Sequence, residues 1–365
     1  MTEVDPKGLR AKVMVDKRKN RIWSVAAILL AAFSVWMVMR QAKDYSFADF
    51  RGFFENANAV WIIMALLCTL AYILFEGVAL ICVLKAFGYR RGTVRGILYS
   101  AADIYFSAIT PSASGGQPAS AFFMVHDGIP TAVTAVALLL NLMMYTASTM
   151  TIGLIAVCIR PSLFINFTPF SMALIVIGYL ILGILMLCII LLIRHSDWVY
   201  SVSMFLLRIL KKLRLSGSVK RFEGKIDRLT AEYRECSRMV GGNRNMLLKC
   251  FLWNLLQRIL QICVSAMLYI AGGGSPVKAA DVWATHAFAV IGSSCIPVPG
   301  AMGVIDYLIV DGLKNLMPEE DAISLELLSR GISFYLCVLI CGIIVSAGYF
   351  MLAKGNNSSK SEDVN

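Results

Sequence analysis

The stretch Thr110-Pro111-Ser112-Ala113-Ser114-Gly115-Gly116-Gln117-Pro118 lies in the middle of an apolar run at about 97–125. Two prolines cannot sit comfortably in a helix interior, and the paired glycines permit a tight turn. The run is therefore read as two helical arms meeting at a tip. A second stretch, Pro297-Val298-Pro299-Gly300-Ala301-Met302-Gly303-Val304-Ile305-Asp306, breaks the run at about 281–313 with the same punctuation.

These tips sit in a chain built for lipid. It has 365 residues, of which 58% are hydrophobic and 16% charged, with a mean hydropathy of +0.71. Soluble domains carry about 25% charged residues. Unbroken apolar runs of about 20 residues cross a bilayer as helices, and they fall at about 22–39, 59–84, 131–158, 168–193, 247–271 and 328–352. The expected fold is an all-α polytopic membrane protein with about six full spans and two re-entrant helical hairpins, about eight apolar segments in all. The leader 1–21 is polar and basic, without a signal-peptide cleavage pattern. The tail 354–365 is polar and read as disordered.

The net charge of +11 does not point to nucleic acid. The basic residues flank apolar runs and form no basic domain of their own. Lys7, Arg10, Lys12, Lys17, Arg18, Lys19 and Arg21 place the N-terminus in the cytoplasm, and Lys85, Arg90, Arg91 and Arg95 place the loop after the second span there too. The basic stretch Arg194–Lys249 and the C-terminus follow, while Glu319, Glu320 and Asp321 fall outside. The expected location is a bacterial cytoplasmic (inner) membrane. On this count the first hairpin opens inward and the second outward, although two ordinary short helices at each break remain the alternative.

The order span, hairpin, span at about 59–158 then recurs upside down at about 247–352. Gly/Pro-interrupted segments in corresponding positions of two opposed halves point to a transport site at their interface. Ionisable residues inside spans are candidates for that site. Glu76 lies about 12 Å and Arg258 about 17 Å from the inner ends of their spans, at 1.5 Å per residue. A Glu76–Arg258 ion pair, or shared contact with a zwitterionic headgroup, is expected. Asp103 and Asp306 lie in the two hairpins, Gln257 and Gln261 flank Arg258, and Pro111, Gly115, Gly116, Gln117, Pro118, Pro299, Gly300 and Gly303 shape the tips. Asn141, Thr146, Ser148, Thr149 and Thr151 read as helix–helix contacts.

Within the cytoplasmic amphipathic segment 197–245, Val219, Phe222, Ile226, Leu229, Tyr233, Cys236 and Val240 form one helical stripe. It reads as a helix on the anionic inner leaflet or packed on the bundle. The ten cysteines form no CxxC pair, and most lie in apolar runs as small buried residues. No HExxH, GxSxG or P-loop pattern occurs, so neither cofactor nor metal is expected.

The strings TPSASGGQPAS and HDGIP (110–120 and 126–130), with PVPGAMGVID (297–306), resemble the two signatures of the lysylphosphatidylglycerol synthase transmembrane-region family. This is the flippase-like domain of multiple peptide resistance factor proteins. Ala301 stands where the second signature has a glycine, and Asp306 where it has a glutamate. The resemblance spans roughly 20–350. It implies a flippase moving an anionic or aminoacylated phospholipid, lysylphosphatidylglycerol-like, to the outer leaflet, which resists cationic antimicrobial peptides. The synthase activity of full-length relatives resides in a soluble C-terminal domain, and the dozen residues after the last span here cannot build one. A phosphatidylglycerol lysyltransferase activity is accordingly not expected. A lipid-modifying intramembrane enzyme and a membrane partner of a separate synthase or glycosyltransferase are the alternatives, and a homodimer stays open.

Overall fold

A computed structural model describes residues 57–110, 114–195, 219–294, 296 and 303–362. The expected first span at 22–39, and Pro111, Pro299 and Gly300, lie outside the described residues. The described elements are all helical. Helix α1 covers Ala59–Ala86, α2 Thr93–Ile109, α3 Gly116–His126, α4 Thr131–Ile159, α5 Pro161–Asn166 and α6 Pro169–Arg194. After them come α7 Val219–Gly242, α8 Arg244–Ala271, α9 Pro276–Ser293, α10 Val304–Leu313 and α11 Glu319–Arg330. A π-helical turn, Gly331–Leu336, joins α11 to α12, Cys337–Glu362. Among the described residues, five helices are long and apolar enough to cross a membrane: α1, α4, α6, α8 and the run Glu319–Leu352.

Local chemistry starts these helices where they start. The Asn58 side chain accepts from Val60 N at 3.0 Å to cap α1, and Asn243 accepts from Met246 N at 3.0 Å to cap α8. Side-chain oxygens there satisfy donors that the first helical turn leaves unpaired. Pro169 and Pro276 open α6 and α9, a position where the missing N–H costs nothing.

The last span corrects the sequence reading. Hydropathy set its start at about 328, but the helical run begins at Glu319. Glu319, Glu320 and Asp321 occupy the first turn of α11 after Pro318, where acidic side chains meet the positive end of the helix dipole. The extension carries Glu326 and Arg330 into the bundle, buried to 4% and 6% exposure.

Helices α1 and α8, the first spans of the two expected repeats, pack together and run antiparallel. Asn58 N donates to Ala271 O at 2.9 Å, so one helix begins where the other ends. Phe75 and Trp253 stack between them at 5.2 Å. The remaining contacts are exchanged reciprocally. Hairpin arm α2 of the first repeat packs on α12 of the second, and arm α9 of the second packs on α4 of the first. Each hairpin has one long arm and one short arm, α2 with α3 and α9 with α10, packed against each other.

The hairpin bases are pinned by charge. Asp127, just after α3, pairs with Arg95 at 3.0 Å and accepts from the Tyr99 hydroxyl, both on α2. Asp281 on α9 pairs with Arg160 at the end of α4. Asp311 on α10 accepts from Thr168 N and Oγ1, both at 2.9 Å. Helix α6 buries a single stripe, Ser171, Ile175, Gly178, Leu182 and Ile189. It joins Phe288, Ile291, Ile262 and Ile152 in one apolar core, and the rest of its surface is left for lipid. Helix α7 packs on α4, α6 and α8, with Tyr233, Cys236 and Val240 buried. The part of the amphipathic stripe formed by Tyr233, Cys236 and Val240 thus packs on the bundle.

Candidate functional site

The buried polar side chains gather along α8 and the helices around it. Glu76 on α1 is 6% exposed and Arg258 on α8 is 8% exposed. The ion pair expected between them is not formed. Gln257 lies between the chains and donates from Nε2 to Glu76 Oε2 at 3.0 Å. Arg258 turns toward α4, where Nε donates to Thr149 Oγ1 at 3.0 Å and the guanidinium lies 4.2 Å from the Tyr145 ring centroid. Its Nη1 donates to Gln261 one turn on. Asp103 on α2 also lies near Glu76. Below them, Asn254 donates to Asn141 at 3.0 Å, joining α8 to α4.

The first hairpin tip is organised around Asp103 on α2. Gln117 Nε2, in the first turn of α3, donates to Asp103 Oδ2 at 2.6 Å, and Ser107 donates to Oδ1 at 3.2 Å. Gly116 makes this approach feasible. A Cβ there would lie 2.6 Å from the Asp103 carbonyl oxygen and would collide with Asp103 Oδ1 and Ser107 Oγ. Gly115 N donates to Thr110 Oγ1 at 2.9 Å, closing the turn locally. Pro118 sits in the first turn of α3, where a proline is tolerated.

At the second hairpin, Gly303 immediately precedes α10 with a φ of +79°, a conformation that favours glycine. Its N–H donates to Asp306 Oδ2 at 2.7 Å, and Arg330 Nη1 donates to the same oxygen at 2.7 Å. Asp306 therefore ties the start of the short arm to the last span. Ser265 on α8 and His286 on α9 share a buried hydrogen bond, with Arg258 and Arg330 both within electrostatic reach of the imidazole.

The structure thus brings Gln117 to Asp103, Asp103 near Glu76, and Gln261 to Arg258, while Asp306 joins Arg330 at the second hairpin. Sequence reasoning missed Arg330 and Glu326, because the last span was started too late. Their four-residue spacing before an apolar run was the available signal. It assigned Gln257 and Thr149 no charge-binding part, and it passed over Tyr145. Those contacts depend on which residue faces which across a helix interface. Among the described residues, no group of three or more His, Cys, Asp or Glu side chains is placed to hold a metal ion.

No curated protein matches the chain. The sequence model of one family, described as the lysylphosphatidylglycerol synthase TM region, matches residues 23–341. With most of its length matched, and with an all-helical membrane fold behind that match, the chain belongs to the lysylphosphatidylglycerol synthase transmembrane-region family.

Proposed function

We propose that this protein is a lipid transporter that moves an anionic or aminoacylated phospholipid between leaflets of the bacterial inner membrane, with both termini cytoplasmic. The observation that carries the reading is the buried set of Glu76, Asp103 and Arg258 on α1, α2 and α8. Arg258 offers a guanidinium to a phosphate, while Glu76 and Asp103 offer carboxylates to an ammonium group. Ionisable groups at such depth are costly to keep unless they serve a pathway. A headgroup carrying both signs matches this set. Delivery of an aminoacylated lipid to the outer leaflet lowers negative surface charge and so weakens attraction of cationic peptides.

The test is reconstitution into liposomes with labelled phosphatidylglycerol and labelled lysylphosphatidylglycerol, scored as leaflet exchange. Wild-type protein accelerates exchange. Glu76→Gln and Arg258→Lys, each confirmed as monodisperse and inserted, reduce it by about tenfold or more, the cost of losing one interaction of about 1.4 kcal/mol. Equal exchange by wild type and both variants overturns the assignment of these residues. Exchange no faster than in empty liposomes overturns the transport reading.

A further inference from the structure

The transport reading leaves Glu326 without a part. It is 4% exposed, on the segment that leads into the last span. Its carboxyl meets that of Asp306 on the short hairpin arm. Asp306 Oδ1 and Glu326 Oε2 are each buried with no hydrogen-bond partner. Two carboxylates contacting each other with donorless oxygens repel. One proton on Glu326 removes the repulsion and satisfies both oxygens. We infer that Glu326, packed against Asp306 beside Arg330, is a proton-binding site, and that lipid movement is coupled to the binding and release of its proton.

The surroundings fit a site that loads and unloads. Arg330 is bonded to Asp306 at 2.7 Å and also acts on Glu326. With one proton bound, the two acids and the arginine sum to zero charge. Tyr335, in the π-helical turn, faces the same three residues, and His286 on α9 lies beyond Arg330. The Asp306 side chain keeps 32% exposure while Arg330 keeps 7%, so Asp306 is the entry through which a proton reaches buried Glu326. On release, the carboxyl O–H bond breaks and the proton leaves to water or buffer base. The pair then carries two negative charges against one positive.

The consequence is mechanical. Asp306 also holds the N-terminal turn of α10 through Gly303 N. Repulsion between Asp306 and Glu326 therefore pushes the short hairpin arm away from α11. The π-helical turn begins directly after Arg330. Such turns are frequent at functional sites and give a helix a place to re-register.

This inference rests on the transport reading only for its coupling step, and the two are separable. The full chain is reconstituted in vesicles of phosphatidylethanolamine and phosphatidylglycerol. Infrared difference spectra between acidic and alkaline buffer then report the carbonyl stretch of a protonated carboxyl. Other carboxyls contribute to the same region, so the expected result is one component present in wild type and missing from Glu326→Gln and from Asp306→Asn. That component is kept in Asp281→Asn, whose carboxylate pairs with Arg160. A band undiminished in both site variants overturns the site. If one variant fails to fold, the other carries the comparison.

The second readout is leaflet exchange of fluorescent phosphatidylglycerol under an imposed pH difference. Each unit supplies at most about tenfold per proton. Wild-type exchange changes several-fold, and Glu326→Gln or Asp306→Asn is indifferent. Wild-type exchange that is active but indifferent to the gradient overturns the coupling. A correctly assigned band with no exchange in wild type supports the proton site and sinks the transport reading instead.

Discussion

Gln257, not Arg258, is the partner of Glu76: its amide donates at 3.0 Å across the interface between the two antiparallel lead helices. The position matters because Gln257 is fully buried and no water-exposed donor can replace it. Arg258 is thereby released toward α4, where Thr149 and Tyr145 hold it. The interface thus keeps a carboxyl and a guanidinium close without pairing one with the other, an arrangement that the proposed transport of a headgroup with both charges requires.

Gln257→Leu removes the amide and strands the carboxylate. An unsatisfied buried polar group costs about 1–3 kcal/mol, more when charged. The variant is expected to unfold at lower temperature in detergent than wild type. Glu76→Gln, which keeps an acceptor for Gln257, loses less. In a double-mutant cycle of Gln257→Leu with Glu76→Leu, which removes the acceptor, the two losses are less than additive. Strict additivity would show that the bond contributes nothing.

Gly116→Ala tests whether the tip is built around Asp103. The added methyl has no space, because Asp103 and Ser107 already occupy it, and overpacking of this kind costs about 1–3 kcal/mol. The expected readout is a lower unfolding temperature together with slower lipid exchange. Gly183→Ala is the matched control. Its methyl meets only Met150 Cε, at 3.9 Å, and leaves both readouts unchanged. Equal behaviour of the two variants would mean that the Asp103–Gln117 contact is not structurally demanding.

Much of this arrangement was legible in the sequence, and what was not has a common cause. Hydropathy finds α1, α4, α6 and α8 because each is a long apolar run, and Pro and Gly mark the breaks between α2 and α3 and between α9 and α10. The same average hides the first turns of the last span, since Glu319–Arg330 is a helix in which apolar and charged residues alternate. Arg330 and Glu326 therefore escaped notice, although they complete the second hairpin. The Glu76–Arg258 pairing was argued from nearly matching depths. Depth is a property of one helix at a time, whereas the choice between Gln257 and Arg258 turns on rotation about the α8 axis.

Tyr233 reports on how firmly α7 is docked. Its hydroxyl donates to Leu192 O at 3.1 Å, near the end of α6, and its ring is buried with Cys236 and Val240. Tyr233→Phe removes one hydrogen bond and is expected to cost about 0.5–1.5 kcal/mol. Tyr233→Ala also empties the ring's space and costs about 3–5 kcal/mol. Proteolysis within the 196–218 segment, followed by hydrogen exchange across α7, measures both. Were Tyr233→Ala to leave α7 protection unchanged, the helix would be held by something other than its apolar stripe.

The antiparallel pairing of α1 with α8 predicts that the two hairpin tips are reached from opposite sides of the membrane. Ser114 and Ser294 are exposed residues at the two tips. Ser114→Cys and Ser294→Cys are made singly in a background where all ten native cysteines, Cys295 beside Ser294 included, are replaced by serine or alanine. In right-side-out vesicles, a membrane-impermeant thiol reagent is expected to label Ser294→Cys. Ser114→Cys should react only after the vesicles are opened or inverted. This follows because Asn58 meets Ala271, so each lead helix delivers its chain to the opposite end of the bundle before its hairpin begins. Labelling of both positions from one side would separate Asp103 from Asp306 as counterparts. The buried charged set would then belong to one repeat's cavity instead of to an interface shared by two.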